Sequence, residues 1–358
     1  MSTHVWDELQ ENFSSAPPSP VAVAQPMLSN PPRISVVVLT YRRPQLLARC
    51  LRSLCQQDIH PQAFEVIVVD DGHTADTQAC VTKMAQQYPK HMLRYLRPLV
   101  GRGPAVARNA GWCASQAALI AFTDDDTLPY PDWLRQGEAA MRADSWAALA
   151  GRVEVPPLNP NLLDTAPTDH ELMTQGLQKA EFVTANAFVW RSALQQVQGF
   201  DERFTRAWRE DSDLQFRLMD QVGRVGRSES AIVIRPVRPE RWGISLRQQK
   251  NAFFEALLYA KHPHRYRKNV GSPPWNYYTI VLLTLGAIVL AMMSQGFASA
   301  LATVGAAALI LQFAWSRLRF TSREPKHELE MLATSAVIPF LSVYWRLRGA
   351  WHFRVWFF

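Results

Sequence analysis

Three short apolar runs, the first rich in β-branched residues, constrain this chain more than anything else in it. They are Ile34-Ser35-Val36-Val37-Val38-Leu39, Phe64-Glu65-Val66-Ile67-Val68-Val69 and Leu119-Ile120-Ala121-Phe122. Continuous apolar runs, unlike alternating ones, belong to strands buried on both faces, as in a parallel sheet. Between the first two, Leu46, Leu47, Leu51 and Leu54 recur at helical spacing within residues 44–57. Two more helical patterns, over residues 76–88 and 104–117, separate the second run from the third. Strands alternating with helices predict an α/β fold, a mostly parallel sheet with helices on both faces and right-handed crossovers.

A second feature lies near the other end. Residues 277–293 and 297–315 carry no charged side chain and are separated by Ser294-Gln295-Gly296. At ~1.5 Å per residue, each nearly spans a ~30 Å hydrocarbon core. The expectation is a transmembrane hairpin; two helices buried in a soluble core are the competing reading. Charge favours the hairpin. His264-Arg265-Tyr266-Arg267-Lys268 precedes it, Arg317, Arg319, Arg323 and Lys326 follow it, and the turn is neutral. Both ends are then expected on the cytoplasmic face of the inner membrane. Residues 331–345 are apolar but contain Pro339, and re-entrant, interfacial and spanning placements stay open.

Composition closes off other classes. With 48% hydrophobic residues and 12 Trp, the chain is not disordered. A mean hydropathy of −0.13 rules out a mostly transmembrane protein. Cys50, Cys55, Cys80 and Cys113 have the spacing of neither a disulfide framework nor a zinc knuckle, so a reducing compartment is expected. Residues 1–32 read as a Pro/Ser/Ala-rich disordered tail without a signal-peptide pattern, which leaves the following module in the cytoplasm. Charge divides unevenly: residues 1–234 hold 22 basic and 26 acidic side chains, residues 235–358 hold 16 and 5. The basic residues flank apolar spans, so membrane lipid and no nucleic acid is the expected partner.

The polar residues that close the three runs carry the chemistry. The first ends in Thr40-Tyr41-Arg42-Arg43, the second in Asp70-Asp71-Gly72, the third in Thr123-Asp124-Asp125-Asp126. Ligands of open parallel sheets bind at the C-terminal strand ends. Turn and cap chemistry explains one such end, but five carboxylates on one edge repel unless a divalent cation or ligand hydroxyls join them. Asp124 and Asp126 alternate in an extended segment and can share one ion. Mg2+ or Mn2+ suits one or two carboxylates completed by phosphates and water.

The motifs together resemble the family 2 glycosyltransferases of the GT-A fold, over about residues 33–242. The resemblance rests on the opening through Thr40-Tyr41, the Val69-Asp70-Asp71-Gly72 strand end, Ala107-Arg108-Asn109 with Gly111, the Asp124 and Asp126 pair, Gly199-Phe200-Asp201-Glu202, and Glu210-Asp211 with Asp213-Leu214. It implies a Rossmann-like mixed sheet and transfer of a sugar from a nucleotide-sugar, a UDP-sugar first among donors. Thr40, Tyr41 and Arg42 would line the nucleotide pocket, and Asp71 would contact base or ribose with Asp70 nearby. Arg108 and Asn109 would face the nucleotide-sugar beside Asp125. Asp124 and Asp126 would hold Mn2+ or Mg2+. Asp211, with Glu210, would act as the general base of an inverting displacement. Asn186 is a candidate sugar contact or a core residue.

Two positions depart from the family pattern. Arg235 stands where relatives often place a His, and an arginine holds phosphate but not a cation. Arg238-Pro239-Glu240-Arg241-Trp242 keeps the Arg-Trp of processive synthases but lacks their Gln. The expected layout is a catalytic domain over 33–242, a basic juxtamembrane segment over 243–276, the hairpin over 277–315 and a basic linker with the short apolar segment over 316–358. The expected acceptor is a lipid-linked or cell-envelope glycan. A processive polysaccharide synthase and a non-catalytic nucleotide-sugar-binding partner stay open as alternatives.

Overall fold

The computed structural model describes residues 31–158 and 166–357. All but the last two residues of the expected tail fall outside them. The chain forms two compact units. One takes in the described residues up to Asp125, Pro129–Gly151 and Thr184–Ala231. The other takes in Asp126–Leu128, Arg152–Val183 and the chain from Ile232 on.

The first unit is built on a sheet. In chain order its elements begin β1 (Ile34–Thr40), α1 (Pro44–Leu54), β2 (Phe64–Asp70), α2 (Ala75–Gln87), β3 (Met92–Leu96), α3 (Pro104–Cys113) and β4 (Leu119–Asp124). Then follow β5 (Leu128–Pro129), α4 (Trp133–Ala143) and β6 (Trp146–Glu154). After α5 (Asp169–Gln175), which belongs to the second unit, come β7 (Asn186–Trp190), α6 (Arg191–Gln196), α7 (Glu210–Gln221) and β8 (Arg224–Ile234). The three apolar runs are β1, β2 and β4, buried almost throughout, as continuous hydrophobicity requires. The expected helices are present, with α3 ending at Cys113, four residues short of the pattern that announced it.

The sheet order is β3-β2-β1-β4-β7-β6-β8-β5. β1 pairs parallel with both β2 and β4, β2 with β3, and β7 runs antiparallel between β4 and β6. The sheet is therefore mixed and mostly parallel on one side, with its order reversing at β1, the type of crevice that binds ligands. Register aligns the polar strand ends: Thr40 lies opposite Asp70, and Leu39 opposite Asp124. Gly111 lets α3 close on this sheet, since a Cβ there would stand 2.3 Å from Val37 Cγ1.

The second unit is largely helical. It contains α8 (Ile244–Gln248), α9 (Ala252–Lys261), α10 (Pro263–Asn269), α11 (Trp275–Met292), α12 (Gly296–Leu318) and α13 (Pro325–His352). The two charge-free stretches are α11 and α12, both long and apolar enough to cross a membrane. Only 11% of the most apolar window of each is buried, which removes the reading of helices enclosed in a core. Residues 331–345 are not a separate short segment but the middle of the 28-residue α13, which continues through Pro339. Its buried face, including Met331, Thr334, Ile338, Ser342 and Ala350, repeats at helical spacing. Arg317, near the end of α12, fastens that face by donating to Thr334 Oγ1 (2.7 Å) and Ser335 Oγ (3.1 Å), and pairs with Asp169 of α5 at 2.7 Å.

Candidate active site

Arg108 organises the acidic edge of the first unit. It sits in the second turn of α3 and is 3% exposed. Its Nη1 donates to Glu210 Oε1 (2.9 Å) and its Nη2 to Asp124 Oδ1 (3.2 Å), and its guanidinium lies 5.7 Å from the Phe200 ring centroid. One cation thus ties the starts of α3 and α7 to the end of β4. Burial alone would lower its hold on the proton, but Asp124, Asp211 and Glu210 together more than offset that and raise it.

Three carboxylates around one guanidinium leave a surplus of negative charge. Glu210, 2% exposed, is pushed up to about 8, first by burial and then by the charge of Asp211. Asp211 is also raised, again chiefly by burial, with Asp124 adding to the effect and Arg108 opposing it. Asp211 differs from Glu210 in its partners. It accepts from the Thr184 hydroxyl (2.7 Å) and the Thr184 backbone N–H (3.2 Å), and it is half-buried. It is aimed without being locked to a cation. Arg209, just before the pair, takes a left-handed φ of +74°, a strained entry to α7 of the kind found at functional sites.

The other strand ends divide into exposed and committed residues. Tyr41 is 49% exposed, and the exposed Arg42, at φ +54°, lies over its ring at 5.4 Å. Both are available to a ligand. Thr40 is not, since its hydroxyl donates to Asp125 Oδ2 at 2.8 Å. Asp125 also pairs with Arg43 at 3.3 Å, so it braces β1 against β4. Asp70 is fully buried. Its Oδ1 accepts from Gly72 N–H, and its Oδ2 from Thr74 N–H and the Tyr95 hydroxyl, which gives it a turn-building role. Asp71 Oδ1 accepts the Gly103 N–H at 2.8 Å, which tethers the segment before α3 to the end of β2.

Asn109 is engaged on every side. Its amide donates to Phe200 O and Glu202 Oε1, and its Oδ1 accepts from Phe200 N–H and Trp112 Nε1. Every hydrogen-bonding position is used, which pins the Gly199–Glu202 segment to α3 and leaves nothing for a sugar. Asn186 is fully buried between Trp133 Nε1 and Ala231 O and belongs to the core.

In the second unit, Asp126 is 5% exposed. Its Oδ2 accepts from Arg235 Nη2 (3.2 Å) and pairs with Arg238 Nε (3.3 Å). Arg235 therefore stands on a carboxylate here. Asp126 Oδ1 is buried and has no hydrogen-bond partner. An orphaned carboxylate oxygen of this kind suits a hard cation. Among the described residues no group of three His, Cys, Asp or Glu side chains is placed to hold a metal ion by itself. A hard cation on one or two carboxylates plus phosphate oxygens fits that donor set, and a closed all-protein cage does not. Thr184 had no motif to announce it; Arg238 was marked only as the residue in place of the Gln before Arg241-Trp242.

A mixed sheet with its order reversing at β1 carries an acidic edge around one buried arginine, and comparison with known proteins identifies the family. The model of "Glycosyl transferase family 2" matches residues 35–197, and that of "Glycosyl transferase family group 2" matches residues 119–321, more than half of the chain. The chain belongs to the family 2 glycosyltransferases. Among curated relatives, the validoxylamine A glucosyltransferase of Streptomyces hygroscopicus subsp. limoneus is 29% identical over 53% of this chain and 48% of its own length. The beta-monoglucosyldiacylglycerol synthase of Synechocystis is 26% identical over 63% of this chain and 47% of its own. The chain spans about half the length of these two relatives. A mannosyltransferase of Pyrobaculum calidifontis, solved with GDP-Man and Mn2+, shares the fold at a TM-score of 0.53 and 19% identity, over 98% of this chain and 94% of its own.

Proposed function

We propose that this glycosyltransferase is membrane-anchored and metal-dependent, and moves a sugar from a UDP-sugar to a hydroxyl of a lipid-linked or cell-envelope glycan with inversion. The observation that carries the reading is the set Asp124, Glu210 and Asp211 gathered around Arg108, with Asp211 left free of a cation by its Thr184 partners. Asp211 takes the proton from the attacking hydroxyl, and burial raises its affinity for that proton, the direction that favours a general base. Arg108 holds Asp124 and Glu210 in place. Tyr41, Arg42 and Asp71 lie at the strand ends for the nucleotide. Asp124 and Asp126 are the carboxylates toward Mn2+ or Mg2+, which when bound offsets charge on the departing diphosphate. Arg235 and Arg238 neutralise Asp126 on its other oxygen.

The exposed α11 and α12 support a hairpin in the inner membrane with the catalytic part on the cytoplasmic side. Residues 235–272, with nine basic and two acidic side chains, support a collar on anionic lipid. A ligand that binds only the folded chain raises its melting temperature. A panel of nucleotide-sugars with Mn2+ is expected to give a shift with a UDP-sugar, and Asp126→Ala is expected to lose the Mn2+-dependent part of it. An undiminished Mn2+ effect in that variant would remove Asp126 from the metal site.

A further inference from the structure

The helix α13 is amphipathic in the inverse sense. Its buried face includes Thr334, Ser335, Ser342 and Arg346, while Leu329, Leu332, Val337, Tyr344, Leu347 and Trp351 are exposed. At about 100° per residue, these six fall within an arc of roughly 140°. Of the exposed residues from Leu329 to Trp351, only Arg348 is charged. A helix at the surface of a water-soluble domain does the opposite, turning its apolar stripe inward and its polar residues to solvent. An apolar face of this length marks contact with a membrane or with another protein.

Continuity decides between the two. Arg317, near the end of α12, donates to Thr334 and Ser335 of α13. Trp315 and Phe320, on either side of Arg317 in sequence, are both exposed. The apolar surface of the hairpin therefore passes onto α13, and a single partner, lipid, covers both. Tyr344 and Trp351 are aromatic residues of the kind that gather where acyl chains meet headgroups. Lys326 and Arg348, exposed at the margins of the face, suit anionic headgroups.

The neighbours of α13 within the second unit decide how it meets the lipid. The Gly243 N–H donates to Glu330 Oε1 (2.6 Å), the Lys250 ammonium lies 5.7 Å from the Trp345 ring centroid, and the rings of Phe253 and His352 are 5.3 Å apart. A Cβ on Gly349 would stand 2.4 Å from Phe253 O, so the two backbones touch there. Residues 243–253 thus accompany α13 from Glu330 to His352, a rise of ~33 Å. Were α13 to cross the bilayer, that segment would be drawn through the hydrocarbon with Arg247 and Lys250, where charged side chains are costly. A helix lying in the interface keeps them in water and still buries its apolar face.

We propose that α13 is an in-plane membrane helix, its exposed face seated among lipid headgroups and upper acyl chains on the side where the hairpin begins and ends. The proposal rests on the hairpin reading for the presence of a membrane. It goes beyond that reading by giving the chain a second lipid-binding surface that does not cross.

The test places the photoreactive residue p-benzoylphenylalanine, one position at a time, in the full chain reconstituted in vesicles of phosphatidylcholine and phosphatidylglycerol. Leu329, Val337 and Leu347 probe α13, Leu285 probes the middle of α11, and Lys83 on α2 is the water-side control. All five side chains are exposed, so the replacement leaves the core intact. Irradiation is expected to give phospholipid adducts at the three α13 positions and at Leu285, and none at Lys83. Mass spectrometry of the adducts is expected to locate the bond in the headgroup-proximal half of the acyl chain at all three α13 positions, and near the chain end at Leu285. Adducts at Leu285 with none at Val337 overturn the proposal and leave the hairpin standing. A cross-linked dimer through Val337 overturns it in favour of a second copy of this chain. Attachment near the chain end at Val337 overturns the in-plane placement in favour of a third span. Adducts at the α13 positions with none at Leu285 keep the lipid surface and reject the hairpin instead.

Discussion

Three carboxylates share one buried guanidinium, and that ratio makes specific demands on single residues. Removing Arg108 leaves Asp124 and Glu210 without their cation, and breaking a buried pair of this kind costs ~3–5 kcal/mol. Arg108→Met is expected to lower the melting temperature markedly, which differential scanning calorimetry reads directly. Thr184 bears on protons instead of stability. Its hydroxyl favours the charged form of Asp211, whose pKa already lies above the ordinary carboxylate range because of burial. Thr184→Val removes that donor, so the pKa rises further and the base is ionised only at higher pH. The acid limb of the pH–kcat/KM profile is expected to move upward relative to wild type; a limb that stays put or moves down contradicts Asp211 as the base. Charge and spacing pointed to Asp124 and Asp126, and the family resemblance alone pointed to Asp211. Asp70, Asp125 and Asn109 share those residue types and motifs, yet their partners are Tyr95, Thr40 and Phe200, distant in sequence. No motif records which acidic side chain is already spoken for.

At the scale of elements, β1, β2 and β4 were legible because burial on both faces leaves an unbroken apolar run. The antiparallel β7 was only a short run beside a core Asn186, and the length of α13 was hidden because its buried face mixes Thr334, Ser335 and Ser342 with apolar residues. Gly111 shows how a motif position can serve packing. Placing a Cβ 2.3 Å from Val37 Cγ1 forces α3 off the sheet, and overpacking of this kind costs ~1–3 kcal/mol. Gly111→Ala is expected to lower the denaturant midpoint by a corresponding amount, with the slope of the transition unchanged. A midpoint equal to wild type would show that α3 can shift freely.

For the whole molecule, the charge asymmetry and the apolar hairpin lead to one expectation. The exposed faces of α11 and α12 are expected to keep the full chain with the membrane through an alkaline carbonate wash; release into the supernatant contradicts a spanning hairpin. The basic collar is expected to add salt-dependent affinity for anionic vesicles, screened at high ionic strength. The central claim, however, is that this membrane-bound chain uses Asp211 to deprotonate a sugar acceptor. The most direct test is Asp211→Asn, a nearly isosteric change, in the full chain. Nucleotide release from a UDP-sugar with Mn2+ and a membrane glycan extract is measured alongside the donor-induced melting shift. The account predicts that the shift survives while acceptor-dependent release falls by about 100-fold or more. Turnover at the wild-type rate in Asp211→Asn would contradict it.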